Sequence, residues 1–587
     1  MKLSTLALDY DGTIARNDRL DPAVRESIAV ARTLGITVLL VTGRSLSELR
    51  RVAGELHFVD GVIAENGAVL HFPDSGHTSV LVPTVPPAFL EALGRRGIRC
   101  GAGDALVDAD AGDAPRILEV IRELELPLVL VFNKGRVMTL PQGVSKATGL
   151  QAALEILRLS PRNTLAIGDA ENDHELLRLA EIGAAVPWAS LPLRAAADLT
   201  LDGDDTRDVA RFLDRVAAAG VLPAAPKPRR QLRLGYLEDG TEFRIALRGR
   251  NVLVAGDTKS GKSWVAGLLT EQLILFGYCL CVLDPEGDYR SLEELPGVMI
   301  MGGDDPPPSP RDLTRALRYP DRSVIVDLSR LPQDAKAAYI RTTLPALNLL
   351  RQRTGLPHRI VIDEAHYFLH DDDAAVLLDL QRNGYLVATY CASRLPHALL
   401  EASEVMIVTC ESNPAEIDAL FRCCNTRAAC NAADWGCLRT LRQGQAMALP
   451  ITAEAGGELR LFNVAARLTP HVRHRQKYVD VPVADQRAFV FGPAARVRTL
   501  REFAHYLETH PPAELAPYVG RGDFSRWIRE VFGDHALAAD MRAIEARHGT
   551  APSRDTVPAL IDAIRARYDL RDELLPGQMP DVAIANT

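Results

Sequence analysis

The chain lacks any uninterrupted apolar run long enough to cross a bilayer, which excludes a helical membrane span. No secretory leader is expected, because Asp9 arrives before a charged start, an apolar stretch and a cleavage site can fit. An excess of positive charge is also missing. The 67 Lys and Arg against 76 Asp and Glu leave a formal net charge of −9. That excludes a wholly basic nucleic-acid binder but leaves room for a local basic groove. Paired Cys-x-x-Cys motifs are absent. The 9 cysteines are odd in number and sit mostly in apolar or strand-like contexts, which implies free thiols and a cytoplasmic location. Cys423, Cys424, Cys430 and Cys437 cluster loosely, without the spacing of zinc ligands. Internal repeats are absent too.

What is present is ordinary globular composition, 47% apolar and 24% charged, over 587 residues. That length suggests about three or four domains. The first third is organised around Leu3 to Thr13. An apolar run ending at Leu8 reads as a buried strand that delivers Asp9 and Asp11 at its C-terminal edge, where open α/β sheets bind ligands. Gly12 then allows a turn. Two carboxylates this close repel, so a positive partner is expected, and Mg²⁺ with its oxygen ligands fits best. A plain Asp-Gly turn is the alternative.

The run Asp9-Tyr10-Asp11-Gly12-Thr13 resembles the first motif of the HAD phosphohydrolases, and later motifs follow in that family's order. A strand from Ile36 to Val41 ends in Thr42-Gly43-Arg44. Lys146 stands in Gly143-Val144-Ser145-Lys146. A strand from Thr164 to Ile167 runs into Gly168-Asp169-Ala170-Glu171-Asn172-Asp173. Glu65-Asn66-Gly67-Ala68 matches the branch whose cap is inserted between the second and third motifs. The resemblance implies that Asp9 attacks phosphorus and that Asp11 protonates the leaving oxygen and then activates water. It also implies that Thr42 and Lys146 hold phosphoryl oxygens, and that Asp9, Asp11, Asp169 and Asp173 surround Mg²⁺. Gly43 and Asn172 support the site, and Arg44 either touches substrate or forms a structural ion pair. A phosphomutase shares the first motif, and a catalytically dead scaffold is a further alternative.

The expected organisation is α/β throughout. A Rossmann-like core at 1–82 and 142–216 carries an α+β cap at 83–141. The cap holds helices at Pro87–Arg95 and Ala114–Leu124, a strand near Ala105, and strands at Leu128–Phe132 and Arg136–Leu140. A proline-bearing linker at 217–231 leads to a second α/β domain at 232–465. Residues 466–587 read as mostly helical, with helices near 500–507, 524–532, 536–547 and 557–567.

The second domain opens with an apolar strand, Asn251 to Ala255. Gly256-Asp257-Thr258-Lys259-Ser260-Gly261-Lys262-Ser263 follows, and then an apolar helix. This is a P-loop in the context that confirms it. The segment Gly256, Thr258, Lys259, Ser260, Gly261, Lys262 and Ser263 is the candidate ATP cradle. Lys262 should reach the β- and γ-phosphates, and Ser263 should ligate Mg²⁺. A strand from Arg359 to Ile362 ends in Asp363-Glu364-Ala365-His366. Asp363 suits Mg²⁺, and Glu364 suits the base that deprotonates attacking water. The letters suggest an RNA helicase, but no second motor domain fits.

These motifs resemble HerA/FtsK-type P-loop ATPases, with a RecA-like fold. Asp284-Pro285-Glu286-Gly287-Asp288-Tyr289 resembles their second-strand motif. Two departures stand out: Tyr390 follows Thr389 where a Gln is common, and Lys259 replaces a usual Gly. Arg382 and Arg394 are candidate arginine fingers. Lys227, Arg229, Arg230, Arg233, Arg473, Arg475 and Lys477 are candidate phosphate contacts or merely solvated charge. The resemblance admits a ring-forming nucleic-acid or protein translocase, or a nucleotide-sensing regulator of the phosphatase. Expected partners are ATP and a small phosphorylated substrate, with no membrane. Nothing in either motif set requires a residue from the other half, so each half is expected to keep its activity after separation near residue 225.

Overall fold

In the computed structural model, Leu3 to Asp9 forms the strand Thr5–Asp9, buried along its whole length. Burial on both faces explains its continuous apolar run. The strand is central in a doubly wound sheet. Parallel strands run in the order Leu199–Thr200, Ile182–Ala185, Thr164–Gly168, Thr5–Asp9, Thr37–Val41 and Gly61–Ala64. An antiparallel pair, Val69–Phe72 and His77–Val80, extends one edge. The chain moves to one side of Thr5–Asp9 and later returns to the other, which opens a crevice at Asp9. The structure describes residues 1–568 except 134, 227, 247, 370–373, 426–431, 471–478, 480–482, 484–486, 493–494, 533 and 551–553. Among these, no helix is long and apolar enough to cross a membrane.

The inserted segment is a four-stranded antiparallel sheet backed by helices Pro87–Arg95 and Ala114–Glu123. The strand expected near Ala105 lies instead at Val107–Asp110. The backbone N–H groups of Asp104 and Ala105 donate to the Glu65 carboxylate rather than to a ladder. A further edge strand, Cys100–Ala102, was not expected.

The second sheet has its parallel strands in the order Ser403–Val408, Asn251–Ala255, Tyr385–Thr389, Arg359–Ile362, Leu280–Asp284, Ser323–Asp327 and Val298–Gly302. Four antiparallel strands complete it beyond Ser403–Val408. Helices Leu500–Thr509, Pro512–Gly520, Asp523–Trp527, His535–Thr550 and Thr556–Arg567 follow, together with the hairpin Phe489–Phe491/Ala495–Val497. They share a core around Phe503, Phe524, Trp527 and Leu560.

The helix Thr206–Ala219 runs into the stretch expected as linker and ends at Gly220, whose φ of +61° is left-handed. Leu222 N–H then donates to the Met1 carbonyl at 3.0 Å. Arg229 pairs with Asp198, and Arg230 lies 3.4 Å from Glu181. Arg233 lies 3.3 Å from Glu242. Arg229 and Arg230 are thus tied to buried acids, whereas Arg233 makes an ion pair at the surface. Lys227, Arg473, Arg475 and Lys477 lie outside the described residues, as does Cys430. The remaining clustered cysteines are free thiols, with Cys423 and Cys424 buried.

The two sheets meet through their N-terminal strand ends. Asn163 immediately precedes Thr164–Gly168, and His358 immediately precedes Arg359–Ile362. His358 Nε2 lies 3.0 Å from Asn163 Oδ1, while its Nδ1 accepts from Cys279 N–H at 2.8 Å. Tyr278 Oη donates to Glu181 at 2.9 Å, and Lys2 Nζ donates to the Gln352 carbonyl at 3.0 Å. Asn163 and His358 are buried. The halves therefore share a buried polar seam, and the ends that carry acids face away from it.

Candidate active sites

Three strand ends and one helix start build the first site. Asp9 ends Thr5–Asp9, and Thr42 follows Thr37–Val41. Asp169 and Asp173 follow Thr164–Gly168. Lys146 opens the helix Lys146–Leu157, whose N-cap Ser145 accepts from Thr148 N–H. Lys146 Nζ lies 2.6 Å from Asp9 Oδ1 and 2.6 Å from Asp173 Oδ1. Asp173 Oδ2 accepts from the N–H groups of Asp169 (2.9 Å) and Ala170 (3.0 Å).

Asp9, Asp169 and Asp173 are all buried, and each offers an oxygen within 4.8 Å of the others. Burial, reinforced by Asp173, pushes the Asp9 carboxyl well above its ordinary range, with Lys146 opposing. For Lys146, burial works against the charge, but Asp173 and Asp9 outweigh it and hold the ammonium protonated. Asp9 Oδ2 is buried without a hydrogen-bond partner among the described residues. A hard cation fits this donor set: it takes carboxylate oxygens and relieves their repulsion.

Asp11 lies at the rim. Arg44 grips it in a fork, Nε to Oδ2 at 2.8 Å and Nη2 to Oδ1 at 2.6 Å, and also reaches Asp18. Between the two expectations for Arg44, the structure gives the ion pair. Asp11 is not among the clustered metal-ligating carboxylates. Thr42 is fully buried and its Oγ1 accepts from Arg44 N–H at 3.1 Å. Gly43 leaves room for the cap: a Cβ there would meet Met138 Sδ at 3.2 Å. Asn172 donates to Asn66 Oδ1 at 3.1 Å.

Sequence reasoning passed over two contacts. Glu65 fastens the cap to the core through Asp104 and Ala105, at 2.9 and 2.8 Å. Met138 brings the cap sheet over Gly43. Glu65 stood in a recognised motif, but its partners 39 and 40 residues on carry no local signal.

The second site lies at the C-terminal ends of central strands of the other sheet. Asn251–Ala255 and Arg359–Ile362 flank Tyr385–Thr389, all parallel, so the P-loop, Asp363 and Tyr390 emerge on one side. Gly256 and Gly261 have φ of +142° and +111°, which the loop's sharp path requires. Lys262 begins the helix Lys262–Leu275, and its Nζ donates to the Asp257 carbonyl at 2.8 Å. Ser263 follows in the first turn. Thr258 is buried, and Ser260 Oγ lies 2.5 Å from Thr409 Oγ1. Asp363 Oδ1 accepts from Glu364 N–H at 3.0 Å, and Glu364 is buried with φ +48°. His366 Nδ1 lies 3.0 Å from Thr389 Oγ1, and its ring packs 4.1 Å from that of Tyr390.

Asp284 organises a turn, accepting from the N–H groups of Glu286 to Tyr289, and burial with Asp288 nearby raises it to about 7. Glu411, beside Asp257 behind the P-loop, is raised to about 9 by burial and by Asp257. Arg382, a candidate finger, pairs with Asp379 at 3.1 Å.

Residues 6–84 and 105–213 match the model of the haloacid dehalogenase-like hydrolases, and residues 232–305 match that of the helicase HerA central domain. A phosphoglycolate phosphatase of Natronomonas pharaonis is 32% identical over 226 residues, spanning 36% of this chain and 97% of the relative. One of Methanopyrus kandleri is 31% identical over 232 residues, 36% of this chain and 97% of the relative. Among solved structures, Thermoplasma acidophilum 0175 is 21% identical, with a TM-score of 0.32 over 37% of this chain and 98% of that one.

Proposed function

The chain belongs, through residues 6–84 and 105–213, to the haloacid dehalogenase-like hydrolases, and from that premise we propose a Mg²⁺-dependent phosphatase tethered to a HerA-like ATPase. The observation that carries the first half is the buried set of Asp9, Asp169 and Asp173 around Lys146. Asp9, Asp169 and Asp173 would hold the cation, which when bound neutralises charge on the phosphoryl oxygens. Asp9 Oδ2 attacks phosphorus, the bond to the leaving oxygen breaks, and an aspartyl-phosphate forms. Lys146 and Thr42 hold the phosphoryl oxygens. Asp11 gives the leaving oxygen its proton. The same carboxylate then takes a proton from water, whose oxygen attacks phosphorus and frees Asp9 and phosphate. Asp11 can do this only once the Arg44 fork loosens, and Asp18 is at hand to keep that guanidinium.

The substrate class is a small phosphorylated carboxylic acid, by analogy with the phosphoglycolate phosphatases. Phosphate release from phosphoglycolate should need Mg²⁺ and stop with EDTA. No release with Mg²⁺ from phosphoglycolate, sugar phosphates or an aryl phosphate would sink this half.

In the second half, the P-loop binds ATP, with Lys262 on the phosphates, Ser263 and Asp363 toward Mg²⁺, and Glu364 as the base. The HerA match favours a ring-forming motor as a second reading. An ATP-favoured oligomer whose hydrolysis rises with DNA and falls with salt would support it. A monomer indifferent to DNA would leave a nucleotide-sensing role.

A further inference from the structure

Lys259 belongs to the candidate ATP cradle, yet the proposed function gives its ammonium no task. It stands inside the P-loop with φ +61°, a left-handed conformation that suits glycine. A lysine persists in such a place only where its surroundings over-determine it. Its ammonium leaves the loop and ends on the C-terminal helical unit. There Nζ donates to the Arg567 carbonyl at 2.5 Å and lies 3.7 Å from the centre of the Tyr568 ring.

That anchor is itself firmly built. Asp534 is fully buried and accepts from Tyr568 Oη at 2.6 Å, from Leu537 N–H at 3.0 Å and from Arg567 Nε at 2.5 Å. The end of the helix Thr556–Arg567 is thereby fixed in front of the P-loop. A second contact lies nearby. Tyr390, at the end of the neighbouring strand, packs into the same helical core, and Lys262 Nζ lies 5.8 Å from its ring. The helical unit therefore touches the nucleotide-binding loop at Lys259 and the flanking strand at Tyr390.

We propose that Lys259 is a phosphate-responsive latch: without nucleotide it holds the C-terminal helical unit against the P-loop, and a bound triphosphate draws its ammonium away and loosens that unit. The reason is competition for one cation. A carbonyl and an aromatic face are neutral partners, whereas a triphosphate in the loop carries several full negative charges. Binding that favours one arrangement shifts the balance only by the difference in affinity, so the latch must in return weaken nucleotide binding by the same factor. The inference rests on the P-loop being the nucleotide site, and its test separates the two.

Hydrogen exchange across residues 500–568 of the full chain provides that test, with and without a non-hydrolysable ATP analogue. In wild type the analogue should speed exchange in the helix Thr556–Arg567 by about fivefold or more. Lys259→Met should exchange fast already without nucleotide and respond no further. Lys259→Arg, which keeps the charge, should exchange as slowly as wild type without nucleotide. If Lys259→Met without nucleotide exchanges like wild type, the latch is wrong. It is also wrong if a fluorescent ATP analogue binds wild type and exchange stays unchanged. Failure of that analogue to bind would overturn the nucleotide site instead, and the nucleotide-free comparison would still judge the latch.

Discussion

If the seam between the two halves is a working interface rather than an incidental touch, Asn163 and His358 should be energetically coupled across it. His358→Ala removes the acceptor of the Cys279 N–H and the partner of Asn163 Oδ1. Each stranded buried group costs about 1–3 kcal/mol, so the variant should lose about 2–6 kcal/mol. Asn163→Ala strands the Lys2 carbonyl and the other side of the same bond. Because both variants break one shared bond, the double variant should lose less than the sum, by about 1 kcal/mol. Urea denaturation, followed by a probe in each half, measures this. Burial and the nearby Arg162, Arg351 and Arg359 lower the His358 pKa to about 3, so it is neutral in the folded chain. The unfolded chain binds a proton below about 6.5 that the folded chain refuses. Wild type should therefore lose about 1.4 kcal/mol on going to pH 5.5, and His358→Ala should lose this part of the pH dependence. Additive losses within about 0.5 kcal/mol, with each variant affecting only its own half, would refute the interface.

Further outcomes follow from the sites. Lys262→Ala should weaken ATP binding about tenfold to a hundredfold, since it removes a charge-assisted contact to phosphate. Glu364→Gln should keep binding and slow hydrolysis, and equal loss of binding in both variants would make Glu364 structural. Glu411, raised to about 9, keeps its proton in the folded chain while the unfolded chain loses it above about 4.5. Stability should thus fall as pH rises between these values, and Glu411→Gln should flatten that slope in thermal melts. Lys146→Ala should cost about 3–5 kcal/mol without metal, because Asp9 and Asp173 lose their shared cation, and added Mg²⁺ should restore part of it.

The strands that carry the candidate sites were legible where they sit on short, local patterns. Apolar strands ending in Asp9, Thr42, Asp169 and Asp363 announce both their burial and the edge they serve. The helix Pro87–Arg95 was legible because proline suits its first turn and its apolar residues share a face. Pro512–Gly520 was not, since Pro517 inside it disguises the helical pattern. The seam was illegible for another reason: Asn163 and His358 are 195 residues apart, and each alone reads as a polar residue before a strand. Arg229 and Arg230 looked like linker charge until the fold brought Asp198 and Glu181 beside them.

Everything proposed for the first site depends on Asp9 acting as a nucleophile within a carboxylate cluster that takes Mg²⁺. Phosphate release with Mg²⁺, compared between wild type and Asp9→Asn, tests it most directly, with thermal melting and ATP-analogue binding run in parallel. The variant should keep its fold and bind the analogue normally but release phosphate no faster than a blank. Turnover by Asp9→Asn at the wild-type rate would contradict it.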